Sequence, residues 1–285
     1  MVQGLKATVL VDNNTFIDRY YVAEPALSIL LEYSEKKVLF DAGYSDAFLR
    51  NADKMGLDLL DLDSIVLSHG HIDHTGGLAF LIQRLSEATT ENRAVNTPNL
   101  IGHPFCLYPR PTPPLHDVGS LISEDRARLH FKVHWSKEPF WLTDKLVFLG
   151  EIPRKFAFEG KNPYPSTIIM PDGSKKPDLL LDDSALVYKS QKGLVIFAGC
   201  SHSGICNTIE YAKEVCQEKR IVDILGGLHL LKPSPEQLVG TCNFMKSVNP
   251  TAVHACHCTS LASLVALAST CSIKGAGVGL QLEYK

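Results

Sequence analysis

Three histidines and an aspartate stand within six residues at His69-Gly70-His71-Ile72-Asp73-His74. Imidazole and carboxylate together suit zinc, iron or manganese. Residues 64–67, just before, are apolar and β-branched and predict a buried strand. Along the extended chain that leaves it, alternate side chains point the same way, so His69 and His71 reach one ion. Asp73 and His74 lie just past them and can turn to a second. Gly76-Gly77 closes the run and leads into an amphipathic helix over 78–88. A surface loop rich in histidine by chance would not be this dense, follow a strand and end in Gly-Gly.

The run from Ser68 to Gly77 resembles the signature of the metallo-β-lactamase superfamily. The resemblance implies an α/β fold, an αβ/βα four-layer sandwich, with the first two histidines on one metal and the Asp-His pair on the other. It speaks to fold before reaction, because the fold hosts hydrolases, oxidoreductases and some transferases.

Composition is that of an ordinary soluble chain. With 285 residues, 45% of them hydrophobic, there is enough for one large domain or two small ones. A net charge of -3 gives no nucleic-acid or membrane surface at the whole-chain level. The eight cysteines form no Cys-x-x-Cys pair, residues 1–11 lack a signal-peptide core, and no apolar stretch approaches a membrane span of roughly 18 residues. The expectation is a cytoplasmic protein with reduced thiols, most of them small buried hydrophobes.

The elements that must position the cluster follow from patterning. Residues 5–11 alternate and predict a strand, followed by the polar loop Asp12-Asn13-Asn14-Thr15. The resemblance puts such a loop over the active site, where Asn13 touches substrate; a plain turn is the alternative. A hairpin over 26–40 runs into Asp41-Ala42-Gly43, where the resemblance implies an aspartate that props the metal loop. A helix over 46–55 stops at Gly56. His103-Pro104 ends a strand, and the resemblance implies that this histidine is not a ligand. Tyr108 to Pro114 is too proline-rich for a central element; its Arg110 could meet an anionic substrate or be simply solvated. Strands are expected over 129–135 and 146–149. Residues 155–181, rich in Pro, Gly and Lys, make a long excursion. One domain over 1–285 results, with a loop or lid insertion at about 104–181.

The chain also repeats. Leu30 to Gly43 lines up with Leu186 to Gly199, and more weakly Ile65 to His71 with Asp223 to His229. Two pseudo-repeated halves packed face to face, with the site between their strand ends, explain this by a route separate from the motif.

The second half supplies further histidines. His202 follows a strand within Cys200-Ser201-His202-Ser203-Gly204 and precedes a helix over 205–215. His229 follows another strand at Gly226-Gly227-Leu228 and faces substrate, for anion contact or proton transfer, unless it is a satisfied core histidine. His257 resembles the superfamily's last histidine, and His254 is structural. The expected set is His69, His71 and His202 on one metal and Asp73, His74 and His257 on the other, two divalent ions about 3.5–4 Å apart. Zinc is favoured, with manganese or iron as alternatives. Much of the superfamily has a bridging aspartate where Cys200 stands. Cys200 as a thiolate, Asp183 or solvent must take that place.

The set Gly199 to Gly204, Gly226 to Leu230, His257-Cys258-Thr259 and Asp182-Asp183 resembles one subfamily, the 7,8-dihydropterin-6-yl-methyl-4-(β-D-ribofuranosyl)aminobenzene-5′-phosphate synthases. That implies a transferase of methanopterin biosynthesis. A dihydropterin-methyl diphosphate couples to an aminobenzene ribosyl phosphate and loses pyrophosphate. The alternative is a hydrolase of a phosphodiester, pyrophosphate, lactone or thioester that uses a metal-bound hydroxide. Either takes a small phosphorylated or pterin-like molecule, with no membrane or nucleic-acid partner; a homo-oligomer is compatible with both.

Overall fold

A computed structural model describes residues 4–114, 116–161 and 163–285. Among them, six strands of the first sheet lie in chain order: β1 (Leu5–Val11), β2 (Ser28–Tyr33), β3 (Lys36–Phe40), β4 (Ser64–Val66), β5 (Asn99–Gly102) and β6 (Lys132–Trp135). The first three are antiparallel and the rest run parallel from β3. The chain then crosses to a second sheet through β7 (Phe140–Trp141) and β8 (Leu146–Phe148), and forms a separate hairpin from β9 (Thr167–Ile169) and β10 (Lys175–Pro177). The second sheet continues with β11 (Ala185–Ser190), β12 (Gly193–Ala198), β13 (Ile221–Gly227) and β14 (Ala252–Cys256) in the order β14-β13-β12-β11-β8-β7. The last strand, β15 (Gln281–Tyr284), pairs with β1 at the edge of the first sheet.

Alternation divides each strand between two cores. Val38 and Phe40 of β3 and Val195 and Phe197 of β12 meet in the layer between the sheets. Leu39 turns outward under helices α1 (Ala47–Met55) and α3 (Leu78–Thr90), while Leu194 and Ile196 turn outward under α5 (Ile205–Cys216) and α6 (Pro235–Val248). Two shorter helices, α2 (Ile72–Thr75) and α4 (Glu124–His130), lie on the first half, and α7 (Leu261–Ala268) on the second. Each fully buried aliphatic or aromatic side chain contributes about 1.5–3 kcal/mol. The layers are therefore helix, sheet, sheet, helix, as expected. No helix among the described residues is long and apolar enough to cross a membrane.

Three expectations change. Residues 104–181 are not one insertion: β6 completes the first sheet, and β7 and β8 open the second. The strand expected over 129–135 begins only at Lys132, because Ser123 caps α4 by accepting the Arg126 N–H (3.3 Å) and Glu124 and Asp125 fill its first turn. The repeat is offset by one residue, since the hairpin turns pair Tyr33 with Lys36 and Ser190 with Gly193.

Candidate metal centre

The parallel strands of both sheets end on one side of the molecule, the usual site-bearing end of such sheets. His69 and His71 follow β4, His202 follows β12, and each offers one ring nitrogen to a group whose atoms all lie within 4.8 Å of one another. Their ring centroids are 4.7, 4.9 and 4.9 Å apart. The Nε2 atoms of all three are buried without a hydrogen-bond partner. Burial and the neighbouring imidazoles hold His69 and His202 well below the usual histidine range. Burial and the Arg110 charge push His71 down to about 3. Three neutral rings with converging, unused lone pairs fit a divalent ion.

A second group of four ligand atoms, from Asp73, His74, Cys200 and His257, meets the same 4.8 Å limit. The single turn of α2 swings Asp73 and His74 away from the extended His69-Gly70-His71. His74 Nε2 lies 3.3 Å from Cys200 Sγ and 3.2 Å from His257 Nε2, and Asp73 Oδ2 lies 3.3 Å from His257 Nε2. The groups adjoin, with the His69 and His74 rings 4.3 Å apart. Burial opposes charge on His74, but Asp73 and Asp41 outweigh it and hold the imidazole at about 9. Burial pushes the Cys200 thiol up, and Cys258 and Asp73 push the same way. A dication reverses both preferences, because a coordinating thiol is deprotonated outright.

The two groups are held from behind by hydrogen bonds. Asp41 accepts from His74 Nδ1 (2.7 Å), the Ser68 N–H (2.7 Å) and Ser68 Oγ (2.7 Å). Asp182 accepts the Gly70 N–H (2.8 Å), and a Cβ at Gly70 would collide with the Cys106 carbonyl. Asp12 accepts the His257 N–H (2.9 Å). Outer partners of this kind fix tautomer and aim. Asp41→Ala should weaken metal affinity by about 10–100-fold, read by competition with a chromophoric chelator; unchanged affinity would remove Asp41 from the account.

The metal-free protein should respond to acid in a defined direction. His71, at about 3, stays neutral in the fold where the unfolded chain, at 6.5, takes up a proton. The unfolded state therefore binds more protons between those values, and stability falls as pH drops through that window. His74 acts the other way, its contribution being lost as pH rises from 6.5 toward about 9. A Tm series on chelated protein should peak near the ordinary histidine value; a Tm that climbs below it would contradict the neutral cluster.

Other expected site residues fall in different places. Exposed Asn13 donates Nδ2 to the His257 carbonyl (3.2 Å), and its Oδ1 lies 3.2 Å from His257 Nδ1, so it steadies that ring from the rim. His229 packs its ring against that of His202, with centroids 4.2 Å apart and the planes inclined by 48°. Arg110 is a correction: it is 0% exposed, pairs with Asp178 (2.9 Å) and Asp182 (2.6 Å), and cannot reach substrate or bulk water. Asp183 lies outside both groups and accepts the Ser203 N–H (2.8 Å), and burial pushes it up to about 6. His103 also lies outside, 3.4 Å from Glu151, and His254 binds Asp223 together with Tyr284. Tyr164, which carried no periodic signal, sets its ring 4.8 Å from His71 and 5.5 Å from His202.

The family model of the metallo-beta-lactamase superfamily matches residues 22–176. A curated relative from Methanocaldococcus jannaschii, 7,8-dihydropterin-6-methyl-4-(beta-D-ribofuranosyl)-aminobenzene-5'-phosphate synthase, is 28% identical over 90% of this chain and 88% of its own. An uncharacterized protein of the same organism, MJ0448, is 29% identical over 91% of this chain and 92% of its own. The crystal structure of Tm1679, a metal-dependent hydrolase of the beta-lactamase superfamily, superposes with a TM-score of 0.82 at 26% identity, covering 99% of each chain.

Proposed function

Because the chain belongs to the metallo-beta-lactamase superfamily, whose fold implies divalent metal binding, we propose that His69, His71 and His202 hold one divalent ion. Asp73, His74, His257 and Cys200 hold a second. The observation that carries this is the convergence of three partnerless buried Nε2 atoms beside a second group of four ligand atoms. Cys200 takes the place of the missing bridging carboxylate, and a thiolate among imidazoles favours zinc over manganese.

The reaction we infer is transfer. A dihydropterin-methyl diphosphate couples to an aminobenzene ribosyl phosphate, and pyrophosphate leaves. The synthase relative, similar over nine-tenths of the chain, supports this. The bound ions would neutralise charge on the leaving diphosphate. The chain's own residues do the rest: Tyr164 packs its ring against those of His71 and His202, and His229, tilted against His202, stands where a proton or an anionic oxygen can be met. The second reading is hydrolysis of a phosphodiester, lactone or thioester, favoured by the likeness to Tm1679.

One panel separates them. Purified protein is offered the dihydropterin diphosphate with the aminobenzene phosphate, and separately simple phosphodiesters and lactones. Coupled product that vanishes in His71→Ala supports transfer. Hydrolysis of simple esters without coupling overturns transfer and leaves the hydrolase.

A further inference from the structure

A cleft of about 410 Å³ opens beside the first histidine group. His202 and His229 line one side of it, and residues 157–161 and 163–165 line the other. The walls are tied together. Glu159 accepts the N–H groups of Cys206 (3.3 Å) and Asn207 (2.7 Å) at the start of α5. Asn207 Oδ1 accepts the N–H groups of Lys155 (2.7 Å) and Phe156 (3.1 Å) in return. A Cβ at Gly204, where φ is +96°, would run into the Glu159 carboxyl, so glycine permits this closure.

The lining is rich in cationic donors. Lys161 comes from the segment between β8 and β9 and Lys232 from the loop before α6. Lys232 is exposed and forms no ion pair among the described residues. Lys161 gives one hydrogen to the Arg154 carbonyl (2.7 Å), which leaves two donors unused. His229 Nδ1 is buried with no partner. Glu159, the one carboxylate in the lining, is spent on α5, and burial pushes it up to about 7. With Glu159 held by the N–H groups of α5, the charges left without an ion-pair partner in the described lining are those of Lys161 and Lys232.

We propose that this cleft is a phosphoryl-binding subsite, in which Lys161 and Lys232 grip a phosphate or diphosphate group and His229 contacts it on the side of the first histidine group. The inference rests on the reading of a phosphorylated substrate and adds where its anion sits. Two mobile ammonium groups hold such an anion as point charges, without the fixed fork of an arginine.

The test is calorimetric titration of inorganic pyrophosphate, and separately inorganic phosphate, into metal-replete protein. Wild type is compared with the double variant Lys161→Ala/Lys232→Ala and with Lys219→Ala, an exposed lysine outside the cleft. Metal content is measured on each. The double variant should bind pyrophosphate about tenfold or more weakly at unchanged metal content, and Lys219→Ala should match wild type. Equal affinity in wild type and double variant overturns the subsite, because the anion is then held elsewhere. So does a wild type that fails to bind at millimolar concentration. Lysine-dependent binding in a protein that retains less than about one metal per chain upholds the subsite and sinks the two-metal reading of the proposed function alone.

Discussion

Alanine at His71 is expected to release one metal ion per chain and to lower turnover by about 10³-fold or more. The ring is neutral and buried, and its Nε2 converges with those of His69 and His202. Among the described residues, no fourth ligand atom joins the His69, His71 and His202 group. A divalent ion supplies several kcal/mol of charge stabilisation, and each 1.36 kcal/mol or so is a factor of ten in rate. His103→Ala is the matched control. That ring is also buried at a strand end, but it faces Glu151 and belongs to neither group. Elemental analysis and turnover on both variants check the assignment: His71→Ala loses metal and His103→Ala keeps it. Equal loss in both would mean that the fold, not the ligand, had been damaged.

Arg110→Ala should destabilise the protein by about 3–5 kcal/mol. The guanidinium pairs with Asp178 and Asp182, both nearly inaccessible, and donates also to the Phe105 carbonyl (3.2 Å). Alanine leaves two buried carboxylates facing each other with no counter-charge. The damage should spread to the metal loop, because Asp182 also accepts the Gly70 N–H and Arg110 helps keep His71 neutral. Arg110→Lys should recover only part of the loss, since an ammonium cannot span both carboxylates as a planar fork does. Arg128, paired with Glu124 on the surface of α4, gives the contrast: its alanine variant should cost under about 1 kcal/mol. Urea unfolding of the three variants would decide it. An Arg110→Ala cost as small as that of Arg128→Ala would contradict the buried network.

The contrast between His71 and Arg110 also shows what could be read from the chain. The histidine run is local, so its type, spacing and preceding strand announce the site before any contact is known. His202 is recognisable as a strand-end histidine because β12 is a continuous apolar run, and His257 because it follows β14, which is apolar apart from His254. Arg110 gave no such sign. Its partners lie 68 and 72 residues away, and only the fold makes a proline-flanked arginine an interior residue. Tyr164 was hidden for the same reason, in a segment with no period. Asp12 was legible as a polar end to β1, but its bond to the His257 N–H spans 245 residues. The repeat found the two halves and missed their register by one residue. Hairpin register is set by the turn, and a slip of one exchanges the two faces of a strand. Cys200 and Asp183 both stand near strand ends, and only the side-chain positions put Cys200 among the four ligand atoms of the second group and Asp183 outside both groups.

The most direct test of the account is the number of metal equivalents per chain, by elemental analysis of protein purified under zinc-replete conditions. The two groups predict about two, with His202→Ala and Asp73→Ala each retaining about one, and Cys200→Ser holding its second ion more weakly than wild type. Fewer than about one equivalent in the wild-type protein would contradict the paired centre on which the proposed chemistry depends.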